Sequence, residues 1–132
     1  MTQEDKDLLL RDLCARLPYG VKGVEANTLC SLNTVTRFKS IVKNIEYKIE
    51  HLGFKPYLFP LSSMTEEQKK ESPFESSLLN AFINGYISLF EDEELAIGDV
   101  VRMLEWLNKN HFDYRGLIPM DLAIDATNLN VY

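Results

Sequence analysis

The chain has two cysteines, two histidines and one tryptophan in 132 residues, and it lacks any apolar run near the roughly 20 residues a bilayer span requires. With Cys14 and Cys30 alone there is no disulfide framework; Cys14 falls on the apolar face of a helix pattern, as a small buried thiol in a reducing compartment would. The acidic start MTQEDKDLLLRDLC has an apolar run of only three residues, so neither a secretory signal nor a membrane anchor is expected, and the protein is expected to be cytoplasmic. His111-x-Asp113 supplies two metal-ligand types without a third, since His51 lies far away in sequence. Gly20 and Gly23 are not followed by the lysine and hydroxyl residue of a phosphate loop. No serine, cysteine or lysine has a recognisable neighbouring base, and SPFESS lacks the strand-turn-helix setting of a nucleophile elbow. No catalytic residue, cofactor or metal is therefore expected, and a non-enzymatic role is.

What is present is an ordinary globular composition, 45% hydrophobic and 26% charged, suited to one compact domain over residues 1–132. Thr2 can cap a first helix whose Leu10, Leu13, Cys14 and Leu17 recur on one face until Pro18. From Tyr19 to about Leu61, runs rich in Val, Ile, Thr, Tyr and Phe, punctuated by Gly20, Gly23, Asn27 and Asn33, read as a strand meander. NIEYKIE is its clearest member, with Ile45, Tyr47 and Ile49 on one side of a half-buried strand. KPYLFP, framed by Pro56 and Pro60, reads as an extended edge leaving the sheet. Thr65 with Gln68, then Ser72, Pro73 and Glu75, mark two helix starts. The second helix would run through Leu78, Phe82 and Tyr86, although GYISLF after Asn84 also reads as a strand. A further helix carries Val100, Met103, Leu104 and Leu107 on its apolar stripe, with Trp106 toward the rim and Asn110 at its end. Leu122 and Ile124 alternate with Asp121 and Asp125 as a short last strand. The expected class is α+β: an N-terminal helix, a small antiparallel sheet or partly open barrel, C-terminal helices and a short final strand.

Charge divides along the chain. Residues 1–60 carry nine Lys and Arg against seven Asp and Glu, net +2, whereas residues 61–132 carry five against thirteen, net −8. A basic segment, Arg37, Lys39, Lys43 and Lys48 with Phe38 and Tyr47 interleaved, has the composition of a single-strand nucleic-acid surface. The overall −6 opposes phosphate binding, so a protein partner is expected rather than nucleic acid or membrane. The residues expected to form a partner surface are Glu91, Asp92, Glu93, Glu94, Trp106, His111, Tyr114 and Arg115. Oligomeric state has no signature in the sequence.

Three blocks, RLPYGVK, KPYLFPLSSMTEEQKKE and WLNKNHFDYRGLIPMDLAID, together resemble a family of uncharacterised small proteins of anaerobic gut bacteria and their prophages and other mobile elements. The resemblance implies no activity, cofactor or catalytic residue. It implies that the three blocks act as one framework, and the residues agree: HFDYRGLI reads as a corner in which Phe112 and Tyr114 pack back on the preceding helix and Gly116 lets the chain reverse. Arg115 would anchor that corner on Asp113 or on a carboxylate of the EDEE run. The leading functional expectation is an accessory or interaction protein of a mobile element. Two alternatives are an inhibitor whose acidic surface imitates nucleic-acid phosphates and a small enzyme whose site carries no known motif.

Overall fold

The computed structural model describes residues 1–25, 28–32, 41–90 and 95–132. The fold is α+β, with helices α1 (Gln3–Arg16), α2 (Ile41–Leu52), α3 (Glu66–Glu71), α4 (Ser76–Ile83) and α5 (Ile97–Lys109). The strands are β1 (Val21–Glu25), β2 (Thr28–Leu32), β3 (Lys55–Pro60), β4 (Phe112–Asp113) and β5 (Ile124–Asp125). Local chemistry explains the starts of α1 and α3. Thr2 and Asp5, and likewise Thr65 and Gln68, exchange side-chain and backbone hydrogen bonds as capping boxes, which satisfies amides the first turn leaves free. After α1 a 3₁₀ turn over Leu17–Tyr19 takes up Pro18. Helix α4 begins at Ser76, later than the Ser72-Pro73 signal, because Ser72 Oγ instead accepts the Phe74 amide.

NIEYKIE is not a strand but the body of α2. Ile45 and Ile49 stand four residues apart and are both buried, a spacing that serves a helix face as well as one side of a strand. Tyr47 decides between them, since it is 45% exposed and cannot share the face of the two isoleucines. The meander is therefore interrupted by a helix.

KPYLFP is also corrected: β3 is central. Strand order is β2-β1-β3-β4, with β5 also on β3. Strand β1 pairs antiparallel with β2 over five residues, and with β3 at Gly23↔Pro56 and Val24↔Lys55. Strands β4 and β5 both run parallel to β3, at Phe59↔Phe112 and Tyr57↔Ile124, so the sheet is mixed and open rather than purely antiparallel or a barrel. The Leu58 carbonyl accepts the Ala126 amide while the Phe59 amide donates to the His111 carbonyl. Those two groups belong to one trans peptide unit and point oppositely, so β5 and β4 flank β3 on opposite sides. Among the described residues no neighbour runs the full length of β3, which is why its two prolines are tolerated: each sits at the end of a short ladder. Gly23 lies within β1 rather than in a turn, since a Cβ there would fall on the Lys55 carbonyl oxygen and the Phe54 ring.

GYISLF is neither helix nor strand. Helix α4 ends at Gly85 (φ 81°), whose amide donates to Phe82 O at 3.1 Å, while the Tyr86 amide reaches Ala81 O at 2.8 Å. That pair of bonds is a Schellman closure, and Tyr86 and Phe90 follow it in turns.

Two hydrophobic clusters result. One packs Leu9 and Leu13 of α1 and Ile45 and Ile49 of α2 around Phe54, Leu58 and Leu117. The other gathers Met64, Phe74, Phe82, Met103 and Leu107 around Phe112. HFDYRGLI therefore contributes Phe112 to one core and Leu117 to the other, and it forms the junction between them.

Candidate functional site

The junction is built from the end of α5, strand β4 and one face of α1. His111 follows the C-cap Asn110 in the left-handed region at φ 62°, which turns the chain out of α5 into β4. Phe112 is buried and stacks on Trp106, ring centroids 5.6 Å apart. Asp113 is 7% exposed; its two carboxylate oxygens accept the amides of Leu117 and Ile118, each at 2.9 Å, and so hold the turn in which Gly116 takes φ 75°. The Tyr114 hydroxyl donates to Asn108 Oδ1 at 2.7 Å, tying the turn back to the last turn of α5. The corner expected from sequence is present, with Phe112 and Tyr114 packed as anticipated.

Its anchor is different. Arg115 does not rest on Asp113, whose oxygens hold amides; its Nε lies 3.2 Å from Oδ1 of Asp12, on α1. Asp12 and Arg16 are both 0% exposed, and Arg16 forks onto the Asp12 carboxylate through Nε at 2.7 Å and Nη2 at 3.1 Å. Nη2 also donates to the Phe112 carbonyl at 2.7 Å, which pins α1 to β4 across 96 positions of sequence. The Tyr114 ring lies beside both guanidiniums, 5.0 Å from that of Arg16 and 5.2 Å from that of Arg115, and the Phe90 ring lies 5.3 Å from that of Arg115. The buried charge centre is thus two arginines on one aspartate.

His111 faces the other side of β4. Its ring stacks on Tyr132 with centroids 3.6 Å apart and planes 12° from parallel. The Tyr132 hydroxyl accepts the Lys22 amide at 3.1 Å and donates to the Tyr57 carbonyl at 3.0 Å, entering the β1/β3 pair just past its last paired residues. Lys22 Nζ donates to Val131 O at 2.7 Å. Burial, with Arg16 and then Lys22 nearby, lowers the His111 pKa from 6.5 to about 4. Burial also raises the Tyr132 phenol, and the Cys14 thiol, where Glu46 adds to the effect.

Beside the junction, an open groove of about 250 Å³ is lined by Leu61, Phe82, Ile83, Ile87, Leu89, Phe90 and Tyr114. Tyr86 and Phe90 on this stretch are 82% and 58% exposed.

Of the residues expected to form a partner surface, only Tyr114 and Arg115 are seen to meet, whereas Trp106 stacks on Phe112 and His111 on Tyr132; each packs inward and is at least half-buried. Glu91, Asp92, Glu93 and Glu94 lie outside the described residues, as do Arg37, Phe38 and Lys39 of the basic segment. Lys43 and Lys48 stand on α2 rather than on a strand, and Lys48 pairs with Glu25 at 2.7 Å. Sequence reasoning missed Asp12, Arg16, Tyr132 and the groove. The first two had a signal: an acid and a base four residues apart on the buried face of α1.

Among the described residues, no cluster of three or more His, Cys, Asp or Glu side chains is placed to hold a metal, and no helix is long and apolar enough to cross a membrane. Comparison with models of known families, with curated proteins and with solved structures finds no match.

Proposed function

We propose that the chain is a non-enzymatic interaction protein, of the accessory kind its three-block resemblance suggests for mobile elements, and that its partner is another protein. The observation that supports this reading is the groove between α4, the Gly85–Phe90 stretch and Tyr114. It is apolar, it is flanked by exposed Tyr86 and Phe90, and the acidic run 91–94 follows Phe90 directly in the chain. Isolated exposed apolar side chains need no explanation, whereas aromatics beside an apolar concavity do. The occupant that suits it is a protein segment presenting one bulky apolar side chain flanked by lysine or arginine, the first filling the groove and the second meeting the acids.

The test is a photo-crosslinking residue at Tyr86 in the native host, with the linked peptide sequenced. The reading holds if one partner peptide recurs, carries an apolar anchor with basic neighbours, and is lost when Phe90 is replaced by Asp in a variant with unchanged melting temperature. Crosslinks to nucleic acid alone, or to peptides without such an anchor, refute it.

A further inference from the structure

We infer that the junction between the two cores is a receptor for a small oxyanion, a phosphate or carboxylate group, gripped by Arg115 with Arg16 behind it. Three buried side-chain atoms among the described residues lack a hydrogen-bond partner: Arg16 Nη1, Arg115 Nε and His111 Nδ1. All three belong to this corner. Arg115 Nε is close enough to Asp12 to form an ion pair, but its N–H does not point along a hydrogen bond to that oxygen. Buried guanidinium N–H groups are ordinarily satisfied, so two left over in one place mark a missing acceptor.

Charge points the same way. Asp12 is one carboxylate shared by two arginines, and the neighbouring Asp113 has given each of its oxygens to a backbone amide. A buried cation without its own counter-ion is costly, and an incoming anion would remove that cost. The arrangement of Arg115 also suits capture. Phe90 and Tyr114 lie to one side of it, with centroids 5.3 and 5.2 Å from Cζ and 6.3 Å from each other, so an acceptor approaches from another side, where the guanidinium donors form the fork that fits two oxygens of one group. Its side chain is 13% exposed whereas Arg16 is wholly buried, so the approach runs to Arg115, and Arg16 contributes its field and its free Nη1.

The test follows the arginine Nε–Hε signals by NMR while inorganic phosphate, acetate or chloride is added at constant ionic strength and neutral pH. Phosphate or acetate should shift the Arg115 and Arg16 signals with a saturable curve, and chloride should not. The oxyanion that saturates at lower concentration identifies the preferred group. R115K, which keeps the charge and loses the fork, should bind roughly tenfold more weakly with its fold intact. R115Q should abolish saturation. Shifts that stay linear in phosphate and acetate and match those with chloride overturn the inference, as does saturation of equal affinity in R115K and R115Q.

Discussion

Replacing Asp12 by Asn keeps the shape of the side chain and removes the carboxylate that forks onto Arg16. Arg16 is fully buried and cannot turn to water, so its charge would remain in the interior beside the Phe112 carbonyl and the Tyr114 ring, neither of which carries a countercharge. Breaking a buried pair by removing one partner costs about 3 to 5 kcal/mol. A domain of this size is stable by about 5 to 15 kcal/mol in total, so D12N should lose a large share of that margin. With an unfolding entropy of about 2.1 cal/mol/K per residue, the loss corresponds to a fall in Tm of about 10 to 18 °C. Urea unfolding followed by circular dichroism measures it, and Trp106 fluorescence adds a probe at the junction, because Trp106 stacks on Phe112. Two further variants separate charge from packing. D7N changes an exposed acid of the same helix and should move stability by less than about 0.5 kcal/mol. D12L/R16M replaces the buried pair by apolar groups and should recover most of what D12N loses, since the desolvation cost disappears with the pair. A loss in D12N below about 1 kcal/mol, or a double variant no better than the single one, would refute this account of the junction.

Gly23→Ala should lower stability by about 1 to 3 kcal/mol in the same urea assay, because the new methyl must push Phe54 and the Lys55 carbonyl away from β1. His111 adds a pH dependence whose sign follows from its lowered pKa. Between 6.5 and about 4 the unfolded chain binds a proton that the folded chain excludes, so stability contributed by this residue is present at neutral pH and is lost as pH falls through that window. The full shift is worth about 3 kcal/mol in the buried limit, and partial solvent access reduces it to about 1 to 2 kcal/mol. H111N tolerates the left-handed backbone and cannot titrate, so the advantage of the native protein over H111N should shrink from pH 7 to pH 4.5; a constant difference would contradict the assignment. Replacing Glu91, Asp92, Glu93 and Glu94 with Lys should slow association with a basic partner, most at low salt, while changing Arg37, Lys39, Lys43 and Lys48 to Glu should leave it intact; stopped-flow rates at two ionic strengths check both.

The parts of the fold that were legible in the sequence are those decided within a few residues. The cap at Thr2, the capping box at Thr65, the stripe of α5 and the turn at Gly116 each need only near neighbours, and each stands where the pattern put it. The failures are of two kinds. In NIEYKIE, Ile45 and Ile49 satisfy both periods, and the deciding residue, Tyr47, is amphipathic enough to suit either side of a surface. In KPYLFP, the proline rule assumes a continuous ladder, but β3 meets β1, β5 and β4 in turn over two residues each, so the missing amides are never asked for. Neighbours as short as β4 and β5 leave no periodicity to read.

The junction shows why a site can be half visible. His111, Phe112, Asp113, Tyr114 and Arg115 drew attention because five chemically different residues in a row match no helix or strand pattern. They are mixed because each faces a different surrounding: His111 the Tyr132 ring, Phe112 a hydrophobic core, Asp113 two amides, Tyr114 and Arg115 the charge centre. What completes the centre, Asp12 and Arg16, comes from α1, about a hundred positions earlier. Their one anomaly was to share the side of the helix with Leu9 and Leu13. A charged pair kept on a buried face costs desolvation that a leucine would avoid, so its presence there calls for something the pair does besides folding. Holding Arg115 beside Asp12 and against the Phe90 and Tyr114 rings is such a task, because a guanidinium held in place and short of an acceptor is already arranged for the group it would bind.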